Sequence, residues 1–174
     1  MMSDMCSCDR CTYARSSAII LYDFCKALHI PVTVYGHSTS GNSVELYSYA
    51  EFESIDNDDK YRMMDIAARG SNRDGAALRF VAEQLVKRPE EVKILILVSD
   101  GQPAAPGYYG SAAEEDLRGI RQEYRRKGVL FIAAAIGEDK QNIERIYGDS
   151  FMDITDLNQL PVKLTAAVKR HMRV

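Results

Sequence analysis

Apolar positions change their period several times along the chain. Between about Cys11 and His29, the residues Ala18, Leu21, Tyr22, Cys25 and Leu28 recur at spacings of three and four, one face of a helix that Pro31 ends. Residues 32–35 read as a strand and residues 36–42 as a polar turn. The alternation from Val44 to Phe52 reads as a second strand, so the two are expected to form a hairpin. An acidic loop, residues 54–59, leads to a short helix over 60–68, and Gly70 to Asn72 breaks it. Asp74 is expected to cap the next helix, because a carboxylate at that position accepts from free amides of the first turn. Ala77, Leu78, Val81, Ala82 and Leu85 share one face of that helix, which stops before Pro89.

The second half alternates more strongly. Residues 94–98 form an unbroken apolar run, as expected for a strand covered on both faces, and the run stops at Ser99, Asp100 and Gly101. Residues 112–127 form an amphipathic helix with Leu117, Ile120 and Tyr124 inward, and residues 129–136 form another apolar strand. A helix over 141–147, a strand over 151–154 and a helix over 157–171 follow. Two apolar strands separated by a crossover helix imply parallel pairing with helices on both faces of the sheet. The expected fold is therefore α/β, doubly wound and mostly parallel. In such sheets ligands bind at the carboxyl ends of the strands. A chain of 174 residues suits one domain over 1–174.

Composition removes several function classes. The formal net charge is −3 and the lysines and arginines are dispersed, which argues against a nucleic-acid surface. No apolar run has the length of a membrane span, and no basic-then-apolar leader opens the sequence. With Cys6, Cys8, Cys11 and Cys25 as the only cysteines, a reducing compartment, the cytoplasm, is expected.

Asp100 stands at the carboxyl end of the most apolar strand. A carboxylate there needs a partner, a set of hydrogen bonds or a cation. It reads either as a ligand of a hard divalent ion or as a cap of the following loop. The loop from Ser71 to Gly75 offers Asn72 and Asp74 as second members of the same site, with plain N-capping as the alternative for Asp74. Cys6, Cys8 and Cys11 have a spacing that invites a zinc or redox site, with His37 as a distant fourth ligand. The alternative is reduced thiols in a terminal segment. His37 otherwise reads as a polar turn residue. No Walker-type loop, dinucleotide fingerprint or nucleophile elbow occurs, so the chain is not expected to be an enzyme. A metal-dependent hydrolase using Asp100 is the alternative.

The segments ILILVSDGQP (94–103) and NRDGAAL (72–78), with Tyr35, Gly36 and His37 after the first of the hairpin strands and FMDITDL at 151–157, together resemble the von Willebrand factor type A domain. The resembling subgroup is bacterial and includes the cobaltochelatase T subunit and nitric oxide reductase activation proteins. The resemblance implies a metal-ion-dependent adhesion site built from an Asp-x-Ser-x-Ser motif after the first strand, a threonine from the second loop and an aspartate after the fourth strand. Asp100 matches the last, and Asn72 or Asp74 falls at the second. For the first motif one register places Asp4 at its aspartate with Cys6 and Cys8 at the serines, and another places Ser3 at a serine and Met1 at the aspartate. Thiols are soft ligands, so Mg²⁺ or Mn²⁺ is expected to bind weakly or not at all.

The resemblance also implies a central strand ahead of that motif. Few residues precede it, so this strand is expected to be absent or a stub and the domain N-terminally truncated. Neighbouring strands would then pair directly, or a partner chain would fill the gap and produce a homodimer. The implied role is a protein-interaction module beside an AAA+ ATPase in metal-cofactor insertion or enzyme activation. The other alternative is a degenerate, metal-free assembly domain.

Overall fold

The computed structural model describes residues 3–53, 56–99, 101, 103–135, 140–154 and 156–172, with the side chains of 3–9 and 171–172 left aside. Two compact units divide the chain, Met1–Gly70 and Ser71–Val174.

The first unit opens with α1 (Ser3–Ala27). The helix starts well ahead of the expected residue 11, since nothing between Ser3 and Ala27 is glycine or proline and no residue interrupts the turn-to-turn hydrogen bonds. It ends through His29, which takes a left-handed φ of 54°, while the Ile30 amide reaches back to the Cys25 carbonyl at 2.8 Å. The antiparallel strands β1 (Val34–Ser40) and β2 (Ser43–Ala50) follow. The expected turn over 36–42 is therefore mostly strand. Serines and threonines weaken the apolar signal there, yet Ser38 and Thr39 are buried. Only Gly41 and Asn42 form the loop. Gly41 takes φ 57° and Asn42 does not turn positive, the arrangement of two-residue hairpins that put glycine first.

Helix α2 (Asp59–Met63) is shorter than the expected span to residue 68. Beyond it the amides of Asp65 and Ile66 reach back three residues, to Arg62 and Met63, and Ile66 packs on the local core of Tyr22, Tyr49, Ala50 and Met63. A polar cluster lies beside that core. The Tyr22 hydroxyl donates to Asp59 Oδ2 at 2.5 Å, and Arg62 donates to Asp59 and, at 2.9 Å, to Asp56. Asp59 is only 1% exposed, so it needs these donors.

The second unit is built on three parallel strands, β3 (Lys93–Ser99), β6 (Val129–Ala135) and β7 (Phe151–Asp153), in the order β3-β6-β7. Alternate residues of a strand face opposite sides. Val129, Phe131, Ala133 and Ala135 join Leu95 and Leu97 in a core with Leu78, Leu117, Ile120 and Tyr124, residues of α3 (Asp74–Val86) and α4 (Gly110–Arg126). Ile143, Ile146 and Tyr147 of α5 (Lys140–Tyr147) complete it. Ile132 and Ala134, on the other face of β6, are buried as well. Both faces of this strand are thus covered, as a doubly wound sheet requires. Glu114 of α4 is buried and bound by Arg145 of α5 at 2.6 Å and by Arg118 at 3.1 Å, which ties the two helices together. A short hairpin that periodicity does not reveal, β4 (Ala104–Ala105) with β5 (Tyr108–Tyr109), precedes α4, and α6 (Leu160–Met172) closes the unit.

Among the described residues no strand precedes β1. No described helix is long and apolar enough to cross a membrane.

Two outcomes follow from this packing. Ile120→Ala removes a side chain with no exposed surface and is expected to cost about 2–5 kcal/mol in urea unfolding. Tyr22→Phe removes a donor from the buried Asp59 and is expected to cost about 1–3 kcal/mol. Burial, and then the hydrogen bond to Asp59, push the Tyr22 pKa up from 10.0 to about 12. Its raised folded value means that the contribution is complete below pH 10 and fades as pH rises toward 12. Melting temperature followed upward through pH 10 is expected to fall less steeply in Tyr22→Phe than in the wild type.

Candidate functional site at the amino end of α3

The loop before α3 is held by the β4–β5 hairpin. The Ala104 amide donates to the Asn72 carbonyl at 3.2 Å and to Asn72 Oδ1 at 2.8 Å. The Arg73 guanidinium donates to the Pro106 carbonyl at 2.6 Å and stands 5.9 Å from the centre of the Tyr108 ring. Backbone and side chains thus close the loop together.

Asp74 is the first residue of α3, and Arg73 occupies the capping position without a side-chain cap. The expected capping role of Asp74 is therefore corrected by one position. A carboxylate in the first turn still interacts favourably with the helix dipole. Asp74 is 3% exposed, so its charge requires compensation from close by. Gly75 follows. A side chain there would run into the Asp116 carboxylate and the Tyr108 hydroxyl, so glycine lets the helix end approach both.

A chain of hydrogen bonds leads outward from this point. The Tyr108 hydroxyl interacts with the Gly75 backbone and donates to Asp116 Oδ2 at 2.8 Å. Arg79 donates to Asp116 Oδ1 at 2.7 Å. Burial raises the Tyr108 pKa well above the ordinary range, and the bond to Asp116 and the charges of Asp116 and Asp74 add to the rise. Tyr108 is thereby fixed as a neutral donor.

Asn72 and Asp74, expected as members of one site, are neighbours at this helix end. Asp100 lies outside the described residues, directly after the last residue of β3 in sequence. Ser3 and Asp4 belong to α1 in the other unit, in a helix rather than in a loop at a strand end. Cys6 and Cys8 share that helix, and Cys11 and Cys25 are free thiols. His37 sits within β1 opposite Leu46, not in a turn. Sequence reasoning missed Arg73, Tyr108, Asp116 and Arg79, which no local motif connects. The one signal was Gly75, since a glycine inside a first helical turn marks a close approach.

The loop offers oxygen donors, the chemistry that a hard divalent ion requires. Among the described residues no group of three or more histidines, cysteines, aspartates or glutamates is placed to hold a metal. Asn72 Oδ1 already accepts one hydrogen bond, but an amide oxygen has a second lone pair. Asp74 is a buried carboxylate at the start of α3.

A family model described as the cobalamin biosynthesis protein CobT VWA domain matches residues 59–172. The chain is 24% identical over 176 residues to the uncharacterized protein YojO of Bacillus subtilis (strain 168), an alignment covering 93% of this chain and 27% of that protein. It is 34% identical over 97 residues to Protein NorD of Brucella suis biovar 1 (strain 1330), covering 54% of this chain and 15% of that protein. It is 26% identical over 162 residues to the uncharacterized protein PA0525 of Pseudomonas aeruginosa, covering 90% of this chain and 26% of that protein. No solved structure matches. The chain spans about a quarter or less of the length of these relatives. With the family model covering more than half of the chain, and a parallel sheet flanked by helices beneath the match, the protein belongs to the CobT VWA-domain family.

Proposed function

We propose that the chain is a non-catalytic protein-interaction module, cytoplasmic, that acts beside an AAA+ ATPase in metal-cofactor insertion or in the activation of an enzyme such as nitric oxide reductase. The observation that carries this reading is the match to the CobT VWA domain over the segment that holds the 72–75 loop and the end of β3. Similarity to Protein NorD over more than half of the chain points to the same subgroup. The free thiols of Cys11 and Cys25 accord with a reducing compartment.

In this reading Asp100 and Asp74, with Asn72, hold Mg²⁺ or Mn²⁺. Ser3 and Asp4 are weaker candidates because they lie in a helix. A bound ion would supply an electropositive coordination position for a partner's carboxylate. The chain's own residues do the rest: the β4–β5 hairpin fixes Asn72, and the hydrogen-bonded Tyr108 and Asp116 shape the ground beside Asp74. A metal-free assembly domain is the second reading, favoured by the engagement of Asn72 Oδ1 with Ala104.

Calorimetric titration with Mn²⁺ and Mg²⁺ separates the two. Metal-dependent interaction predicts binding by the wild type that Asp100→Ala abolishes and that Asn72→Ala weakens by about 10-fold, the scale on which loss of supporting groups acts. Heats that are the same in Asp100→Ala, or absent from the wild type, would leave the metal-free reading standing. Capture of an AAA+ ATPase by the wild type and not by Asp100→Ala would extend the result from the ion to the partner.

A further inference from the structure

A cavity of about 230 Å³ opens in the first unit at the carboxyl end of β2. Sites that enclose a drug-sized ligand hold roughly 300–1,000 Å³, so this smaller space suits one extended side chain. Its lining combines Ser48, Tyr49 and Ala50 of β2 with four charged groups, Glu51, Asp56, Asp59 and Arg62. Tyr49, Ala50 and Asp59 are buried, while Glu51 and Asp56 are exposed and form the mouth. Three carboxylates against one guanidinium leave a formal surplus of two negative charges over the lining.

The hydrogen bonds already made decide what this surplus can attract. Arg62 donates from Nε to the Tyr49 carbonyl at 3.1 Å, from Nη1 to Asp56 Oδ2 at 3.2 Å, and from Nη2 to Asp56 Oδ1 at 2.9 Å and to Asp59. These four bonds occupy a group with five N–H donors, so Arg62 has little left to offer an anion. Both oxygens of Asp56 are shared with Arg62. Both oxygens of Glu51 accept from the Tyr35 hydroxyl at 2.8 Å, and Oε1 accepts from Ser48 as well, at 2.5 Å. A second guanidinium, entering from outside, pairs best with a carboxylate that gives it both oxygens, and each mouth carboxylate already has both engaged. An ammonium is a compact point charge with three rotatable donors, and one oxygen of each carboxylate is enough for it. An alkyl stem behind it would lie against the buried Tyr49 and Ala50, with the charged head kept at the mouth.

We propose that this cavity is a docking site for a lysine side chain of a partner protein, its stem against Tyr49 and Ala50 and its ammonium at the Glu51 and Asp56 carboxylates. That the amine belongs to a protein rests on the reading of the chain as an interaction module. The preference for an ammonium rests on the cavity alone and draws nothing from the reading of Asp74 and Asp100 as metal ligands. Arg62 is a positioning residue here. By tying Asp56 and Asp59 to the β2 backbone it holds the carboxylates at fixed places around the space.

The test is a titration of the full chain followed by proton–nitrogen nuclear magnetic resonance, in a chelating buffer so that divalent ions play no part. The probe is Nα-acetyl-lysine methylamide. The norleucine analogue keeps the stem without the charge, the arginine analogue exchanges ammonium for guanidinium, and putrescine is a free amine with no peptide backbone. The lysine probe is expected to shift the backbone amides of residues 48–51 and 59–62 saturably, and more tightly than any of the three comparators. Glu51→Gln keeps an oxygen for Tyr35 and Ser48 and is expected to weaken lysine binding about 3-fold, the scale of one partly exposed charge pair. Glu53→Gln, outside the lining, is expected to leave it unchanged. Lysine shifts that never saturate, a norleucine analogue that binds equally well, or a Glu51→Gln variant that binds like the wild type each overturn the inference. A tighter arginine analogue overturns the choice of an ammonium. Tighter putrescine assigns the cavity to a small amine and overturns the protein partner. The metal titrations are untouched by any of these results, so the two readings fail separately.

Discussion

Burial of β6 on both faces leaves its backbone amides and carbonyls only the two neighbouring strands as partners, and the arrangement of the second unit depends on that constraint. β3 supplies one side along its whole length, and β7 supplies the other opposite residues 133–135. Parallel pairing needs crossover helices, and these cover the odd-numbered face of β6 through Leu117, Ile120 and Ile143. The register then sets Ser99, Ala135 and Asp153 level with one another. The carboxyl ends of three strands come to one edge, which is where a sheet of this class presents its loops.

The polar features of the unit sit where this packing leaves charge enclosed. Asp74 is one of them, an acidic side chain buried at the start of α3. The amino end of α3 interacts favourably with its charge, and Gly75 beside it lets the Tyr108 hydroxyl, which donates to the Asp116 carboxylate, approach the helix backbone. Farther out, Arg79 pairs with Asp116 and Glu123, and Glu83 with Lys127, linking α3 to α4 and its C-cap by ion pairs of 2.7–3.1 Å. These pairs are at least one-third exposed, and exposed pairs contribute little to stability. What they do is fix the azimuth of one helix against the other, and with it the direction in which Asp116 faces.

The parts of the fold legible in the sequence were those whose signal is local and long. The apolar runs of β3 and β6 and the three-and-four spacing of Ala77, Leu78, Val81 and Ala82 needed no tertiary information. β1 was read too short because Gly36, Ser38 and Ser40 have weak strand propensity, and pairing with β2 overrides it. The β4–β5 hairpin is two residues on each side, below the length at which alternation can be seen. At the site, Asn72 and Asp74 stood out as short oxygen-bearing side chains in a glycine-containing loop. Their partners did not. Asn72 bonds to a backbone amide thirty-two residues away, and Tyr108 and Asp116 come together with Gly75 only once α4 has packed on α3. Such pairings are set by topology and leave no trace in spacing.

This closed loop is compatible with either fate of the site, and the reason lies in lone pairs rather than in geometry. Asn72 Oδ1 accepts from the Ala104 amide, and an amide oxygen has two lone pairs, as a carboxylate has about four acceptor positions. The loop therefore need not open to admit an ion, and it need not collapse without one.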